Sequence, residues 1–189
     1  SDVIQALGYS DLLLINPETG ESIYSVGKGV EFGTNLYKPP FQRSGLADVV
    51  ALVRNNQARG VVQTVDFRPY LPQFNKPTLF LGAPIYNGPN HIVGVLVLTL
   101  SGDKLDEIMT NHQDWIGEGL GDTGEAYLVN NDDKKMRTVS RSYVESPTDY
   151  VTVLQQMGRP EALIAQIEQS QSTLLYQEVK LGSTQTSVS

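Results

Sequence analysis

Apolar positions in this chain come in short bursts whose spacing alternates between strand and helix periods. Asp11-Leu12-Leu13-Leu14-Ile15 reads as a buried strand, Asn16-Pro17-Glu18-Thr19-Gly20 is dense in turn chemistry, and Ile23-Tyr24-Ser25-Val26 returns, so a hairpin is predicted over 11–26. A crossing rich in glycine and proline follows over 27–40, with the aromatics Phe32, Tyr37 and Phe41 along it. Ser44 can cap a helix whose apolar positions Leu46, Val49, Val50 and Val53 keep the 3.6-residue period. Strand patterns follow over 60–67, 77–85 and 91–100, the last two joined by the turn Tyr86-Asn87-Gly88-Pro89-Asn90. Ser101 caps a further helix with Asp103 in its first turn and Leu105, Ile108 and Met109 on one face. Two strands, a helix, three strands and a helix predict an antiparallel sheet covered by helices on one side, an α+β pattern.

Glycines at 117, 119, 121 and 124 mark a junction. Beyond it, Glu125-Ala126-Tyr127-Leu128-Val129-Asn130, a polar turn and Lys135-Met136-Arg137-Thr138-Val139 repeat the opening hairpin, about 114 residues further on. Ser146-Pro147-Thr148-Asp149 has the cap, first-turn proline and early acid of a helix start, Gly158 is placed to end that helix, and Pro160 opens another with Leu163, Ile164 and Ile167 as its stripe. Too few residues remain to repeat the three closing strands. The expected organisation is therefore one α+β unit over 1–115 and an incomplete second one over 116–189.

Charge narrows the partners. The 189 residues carry 14 basic and 21 acidic side chains for a net charge of -7, and such a surface repels phosphate backbones, which argues against nucleic acid. Cysteine is absent, which removes disulfides, thiolate metal sites and cysteine nucleophiles together. No apolar stretch approaches the ~20 residues of a membrane-spanning helix. Ser1 follows neither an initiator Met nor a signal-peptide pattern, so it reads as a processed end or the edge of an excised piece.

Catalytic chemistry finds little support. The two histidines, His91 beside a hairpin turn and His112 near a helix end, stand at no diagnostic spacing from a carboxylate. Asp132-Asp133 reads as a solvated turn, and Gly27-Lys28-Gly29 and Gly117-Glu118-Gly119 are neither phosphate loops nor dinucleotide fingerprints. No catalytic residue, metal site or cofactor is assigned. The segment Val65-Asp66-Phe67-Arg68-Pro69-Tyr70-Leu71-Pro72-Gln73-Phe74 is different: rigid aromatics among a few polar groups, where one strand turns into the next, suit the wall of a small-molecule pocket. The same aromatics could equally plug the core, and both readings stay open.

These runs carry a resemblance. Tyr9-Ser10-Asp11-Leu12-Leu13-Leu14-Ile15-Asn16-Pro17-Glu18-Thr19-Gly20 with Ile23-Tyr24-Ser25-Val26 is similar to the first hairpin of double Cache sensor domains. Asp66-Phe67-Arg68-Pro69-Tyr70, Lys76-Pro77-Thr78-Leu79-Phe80-Leu81-Gly82-Ala83-Pro84-Ile85 and Gly94-Val95-Leu96 resemble their central strands, and Gly121-Asp122-Thr123-Gly124-Glu125-Ala126-Tyr127-Leu128-Val129 the opening of their membrane-proximal subdomain. The resemblance covers most of 8–145, and it implies two PAS-like subdomains, a membrane-distal, ligand-binding one over 1–115 and a partial membrane-proximal one over 116–189. It implies an extracytoplasmic, periplasmic sensor of a small organic ligand, tethered to the inner membrane by flanking helices outside this chain. Chemoreceptor, histidine kinase and adenylate cyclase outputs are all compatible with it, and so is a homodimer.

The family's ligands occupy the membrane-distal subdomain. By match to the family, Tyr70 is the first pocket residue. Asp66, Phe67, Arg68, Phe80 and Thr99 follow by proximity or strand alternation, and Phe41 and Arg43 stand at the helix entry. The helix entry Phe41-Gln42-Arg43-Ser44-Gly45-Leu46 departs from the aromatic run of the amino-acid-binding branch, and the position of that branch's amine-pairing Asp falls at or near Thr99. A neutral Thr cannot balance an ammonium group, which puts a standard amino-acid ligand in doubt. The expected mechanism has a ligand between the sheet and the crossing at 37–44, ordering that crossing and biasing two arrangements of the subdomains. A structural or dimerisation module that binds nothing is the alternative, and an enzyme the remoter one.

Overall fold

The turn after Asn16 sets the first hairpin. Its Oδ1 accepts the N–H groups of Glu18 and Thr19 at 2.9 and 3.2 Å, its carbonyl accepts Gly20 N–H at 2.9 Å, and its own N–H donates to the Glu21 carbonyl at 2.9 Å. Strands β1 (Asp11–Ile15) and β2 (Ser22–Ser25) pair antiparallel across it. The computed structural model describes residues 4, 6–56, 58–89 and 91–179, and the chain divides into two compact units, Ser1–Lys104 and Leu105–Ser189.

In the first unit, β3 (Gln63–Tyr70), β4 (Lys76–Tyr86) and β5 (Ile92–Ser101) complete a five-stranded sheet ordered β2-β1-β5-β4-β3, antiparallel at every pairing. Helix α1 (Gly45–Asn55) is capped as its sequence requires, with Ser44 Oγ accepting Ala47 N–H at 3.1 Å, and it buries Leu46, Val49, Val50 and Val53 against the sheet. Two glycines set how closely helix and sheet approach. A Cβ on Gly82 would stand 2.8 Å from Val49 Cγ2, and one on Gly45 would stand 2.5 Å from the Phe80 ring. The fold class is α+β, as the order of sequence elements predicts, and the sheet is PAS-like, as the resemblance implies.

Strand β3 departs from expectation. The strand expected over 60–67 runs instead from Gln63 to Tyr70, and only Leu71–Gln73 turns, as a 3-10 segment. Pro69 is tolerated because β3 is an edge strand, where a missing N–H need not break a ladder. The pairing steps from Val65 opposite Phe80 to Arg68 opposite Thr78, so β3 carries one extra residue there, a bulge.

Helix α2 (Gly102–Met109) follows β5, with Lys104 N–H donating to Ser101 Oγ at 3.3 Å. The second unit is built from α3 (Arg141–Glu145), α4 (Pro147–Gln156) and α5 (Glu161–Ser170) around Tyr143, Leu154, Ile164 and Ile167. Ser146 caps α4 through Asp149 N–H at 3.3 Å, and Gly158, at φ 66°, closes it while Arg159 N–H returns to the Leu154 carbonyl at 3.0 Å. The second hairpin is pared down to an isolated bridge of Val129 with Met136, and Lys135 bridges instead to Glu178.

Its turn nevertheless repeats the first bond for bond. Asn130 Oδ1 accepts Asp132 and Asp133 N–H at 2.7 and 3.2 Å, its carbonyl accepts Lys134 N–H at 3.0 Å, and its N–H donates to the Lys135 carbonyl at 3.1 Å. Gly20, at φ 76°, and Lys134, at φ 56°, hold the same left-handed position. Only glycine adopts that conformation without a Cβ penalty, so Lys134→Gly is expected to stabilise the second unit by about 0.5–1 kcal/mol, measured by thermal or urea unfolding.

Candidate functional site

Sheet register places Asp11, Thr99, Phe80 and Val65 in one row across β1, β5, β4 and β3. All four are buried, and alternation along β5 puts Val95, Val97 and Thr99 on the same face, each 0% exposed. At the head of this row the Asp11 carboxylate accepts the Ser25 hydroxyl at 2.8 Å, Gly27 N–H at 2.8 Å and Leu12 N–H at 2.7 Å. It thereby ties the end of β2 and the start of the crossing to β1.

The crossing brings in a second acid. Glu31 is 3% exposed, and its carboxylate folds back over Gly29, where a Cβ would lie 2.4 Å from Glu31 Oε2. Its carbonyl takes Thr34 N–H at 3.1 Å and the Thr34 hydroxyl at 2.6 Å, which fixes the local turn. Burial raises the Glu31 pKa above the usual carboxylate value. A hydrogen bond from its own backbone N–H opposes that rise, and the nearby Asp11 charge adds to it.

Tyr70 closes the group. Its ring stands edge-on to Phe80, centroids 5.0 Å apart at 84°, and both rings are within the packed core. Burial raises its hydroxyl pKa, and the charges of Glu31 and Asp11 raise it further. The Tyr70 hydroxyl, Thr99 Oγ1 and Glu31 Oε2 are all buried without a hydrogen-bond partner. Buried polar atoms are almost always paired, so these three orphans are groups that a polar guest would satisfy. No ion pair reaches Asp11 or Glu31 among the described residues. Such an interior favours hydrogen-bond donors and positive charge.

The structure brings Tyr70, Phe80 and Thr99 together, with Phe41 in the same core cluster. Phe67 is buried outside that cluster, and Asp66 is half-buried with its Oδ1 taking Phe67 N–H at 2.7 Å. Arg68 is exposed and pairs with Asp48, and Arg43 is exposed at the end of the 3-10 turn Phe41–Arg43. Asp11, Ser25 and Glu31 were not foreseen. A carboxylate heading an apolar strand was a signal for Asp11, and Asp11 now stands directly opposite Thr99, supplying the negative charge that Thr99 lacks.

No protein-family model matches the sequence, and no curated protein is similar to it. Among solved structures, the ligand-binding domain of the Pseudomonas aeruginosa amino acid chemoreceptor PctC, in complex with GABA, superposes with a TM-score of 0.50 at 14% identity, over 75% of this chain and 54% of that one. The fold is of the Cache type. The sensor domain of the Vibrio cholerae histidine kinase DctB gives a TM-score of 0.45 at 15% identity over 94% of this chain and 57% of that one. This chain therefore spans little more than half the length of either Cache-type domain. Among the described residues no helix is long and apolar enough to cross a membrane.

Proposed function

We propose that this chain is the extracytoplasmic small-molecule-sensing part of a membrane receptor, tethered by flanking helices and coupled to a chemoreceptor, kinase or cyclase output. In this reading 1–115 is the membrane-distal, ligand-binding part and 116–189 belongs to the membrane-proximal one. The observation that carries it is the set of orphaned polar atoms on Tyr70, Thr99 and Glu31 inside a Cache-type sheet. A donor or cationic group on the ligand would pair with Glu31 and the two hydroxyls, and the crossing that bears Glu31 would follow ligand occupancy. Signalling then needs only a differential affinity for two arrangements, of order 1–3 kcal/mol.

The test is a thermal-shift screen of organic amines, organic acids and nucleobases on the full chain. A binder at 100 times its Kd adds about 2.7 kcal/mol of stability. Tyr70→Phe keeps the ring against Phe80 and removes only the hydroxyl, so the fold should survive while affinity for the binder falls about tenfold, the size of one net hydrogen bond. Undiminished binding in Tyr70→Phe removes that hydroxyl from the site, and a flat screen favours a module that supports dimerisation without a ligand.

A further inference from the structure

The two units share more than the asparagine turn. In the first, Gly27 N–H donates to Asp11 Oδ1 sixteen residues back at 2.8 Å; in the second, Arg141 N–H donates to Glu125 Oε1, also sixteen residues back, at 2.9 Å. Asp11 and Glu125 stand at equivalent places before the paired turns. Both acids latch the chain returning from the hairpin. Glu125 also borders a cleft of about 500 Å³, lined by Met136, Tyr150, Arg159, Gln177 and Glu178 among others.

This cleft sets the cation Arg159 beside two acids, Glu125 and Glu178. Arg159 is a part-exposed residue whose Nε is buried without a partner, and no ion pair or side-chain hydrogen bond involves it among the described residues. Its position is fixed from the backbone, since Arg159 N–H closes the end of α4. Across the cleft Gln177 lies on a segment paired to Met136, with Met136 N–H donating to the Gln177 carbonyl at 2.9 Å, and Gln177 Oε1 is likewise buried and unpartnered. Tyr150 stands between the charges. Burial and Glu125 push its hydroxyl pKa up to about 12, with Arg159 pulling the other way, so it remains a donor at neutral pH. A guanidinium N–H withdrawn from water and left without an acceptor is a costly arrangement that a bound anion relieves.

We propose that this cleft is a second binding site, separate from the acid-lined interior of the first unit, and that it takes a small organic carboxylate bearing a hydroxyl or amino donor. The carboxylate meets Arg159 and the Tyr150 hydroxyl, and the donor meets Gln177 Oε1. Met136 supplies an apolar wall, and the cleft volume falls in the range of small-ligand sites.

The experiment is an NMR titration of the full 189-residue chain with sodium acetate, glycolate and succinate at constant ionic strength, with sodium chloride as control. Expected is a saturable shift of the Arg159 Nε–H and Gln177 side-chain amide resonances with glycolate, absent with chloride. Arg159→Gln should weaken glycolate at least tenfold, Arg159→Lys, which keeps the charge and loses the fork, several-fold, and Tyr70→Phe not at all. The proposal is overturned by the absence of a saturable shift with all three carboxylates, by an equal shift with chloride, or by undiminished binding in Arg159→Gln. Loss of binding in Tyr70→Phe as well would place the carboxylate in the first unit and overturn it too.

Discussion

Replacing Asp11 with alanine is expected to lower the stability of the first unit by about 3–5 kcal/mol, the cost of stripping a buried charged acceptor from its donors. The carboxylate is 5% exposed and accepts three hydrogen bonds, from Leu12 N–H, the Ser25 hydroxyl and Gly27 N–H. Alanine leaves those donors facing an apolar row with Thr99 and Phe80, and it unfastens the crossing from the hairpin. Asp11→Asn keeps one oxygen for the two N–H groups but turns an amide NH2 toward Ser25, so its cost should be about 1–2 kcal/mol. Urea unfolding of both variants measures this. A loss below about 1 kcal/mol for alanine would mean that water reaches the donors and that the interior is not sealed. The counterpart Glu125→Ala removes a single bond from a part-exposed acid and should cost only about 1 kcal/mol.

What could be read from the sequence follows the range of the interactions. The asparagine turns, the Ser44 and Ser146 caps and the glycine closing α4 depend on residues within five positions of one another, so their signals sit in one window. The order of strands and helix was legible for the same reason, because alternation and the 3.6 period are local. The polar interior was legible only in part. Asp11, Glu31, Tyr70 and Thr99 come from β1, the crossing, β3 and β5, and nothing in a short window says that they meet. Strand β3 adds a specific obstacle. Counting by twos from Val65 selects Phe67 and Pro69, and only the bulge between Val65 and Arg68 returns Tyr70 to the core face. Arg68, chosen as Tyr70's neighbour, lands on solvent and pairs with Asp48 instead. The Arg159 cleft left no signal of its own, because Glu125, Met136, Tyr150, Arg159 and Gln177 come from separate segments and nothing in a short window says that they meet.

Substituting Glu31 with glutamine should make the chain more stable at neutral pH, and the gain should disappear in acid. Burial and the Asp11 charge raise the folded-state pKa of Glu31 above its unfolded value. Below the unfolded value, about 4.3, both states carry the proton and the group costs nothing. As pH rises from there the unfolded chain ionises first while the folded chain still holds its proton, so stability falls until the folded-state pKa is passed. Glutamine has the same shape, stays neutral and removes that slope. Each unit of elevation corresponds to about 1.4 kcal/mol of difference between variant and wild type at the upper end of the window. Urea midpoints of the two proteins from pH 4 to 8 should therefore diverge with rising pH and then run parallel; profiles parallel throughout would mean that the Glu31 carboxyl is solvated. The same substitution separates stability from recognition. A cationic binder found in the screen stabilises the ionised form, so wild type should bind it more tightly as pH rises through the Glu31 transition. Glu31→Gln, though the sturdier protein, should bind it weakly at every pH. A neutral ligand that only accepts hydrogen bonds, meeting the Tyr70 and Thr99 hydroxyls, would show the reverse dependence, since it benefits from the protonated acid. The sign of that pH dependence thus reports which kind of group the interior was built to hold.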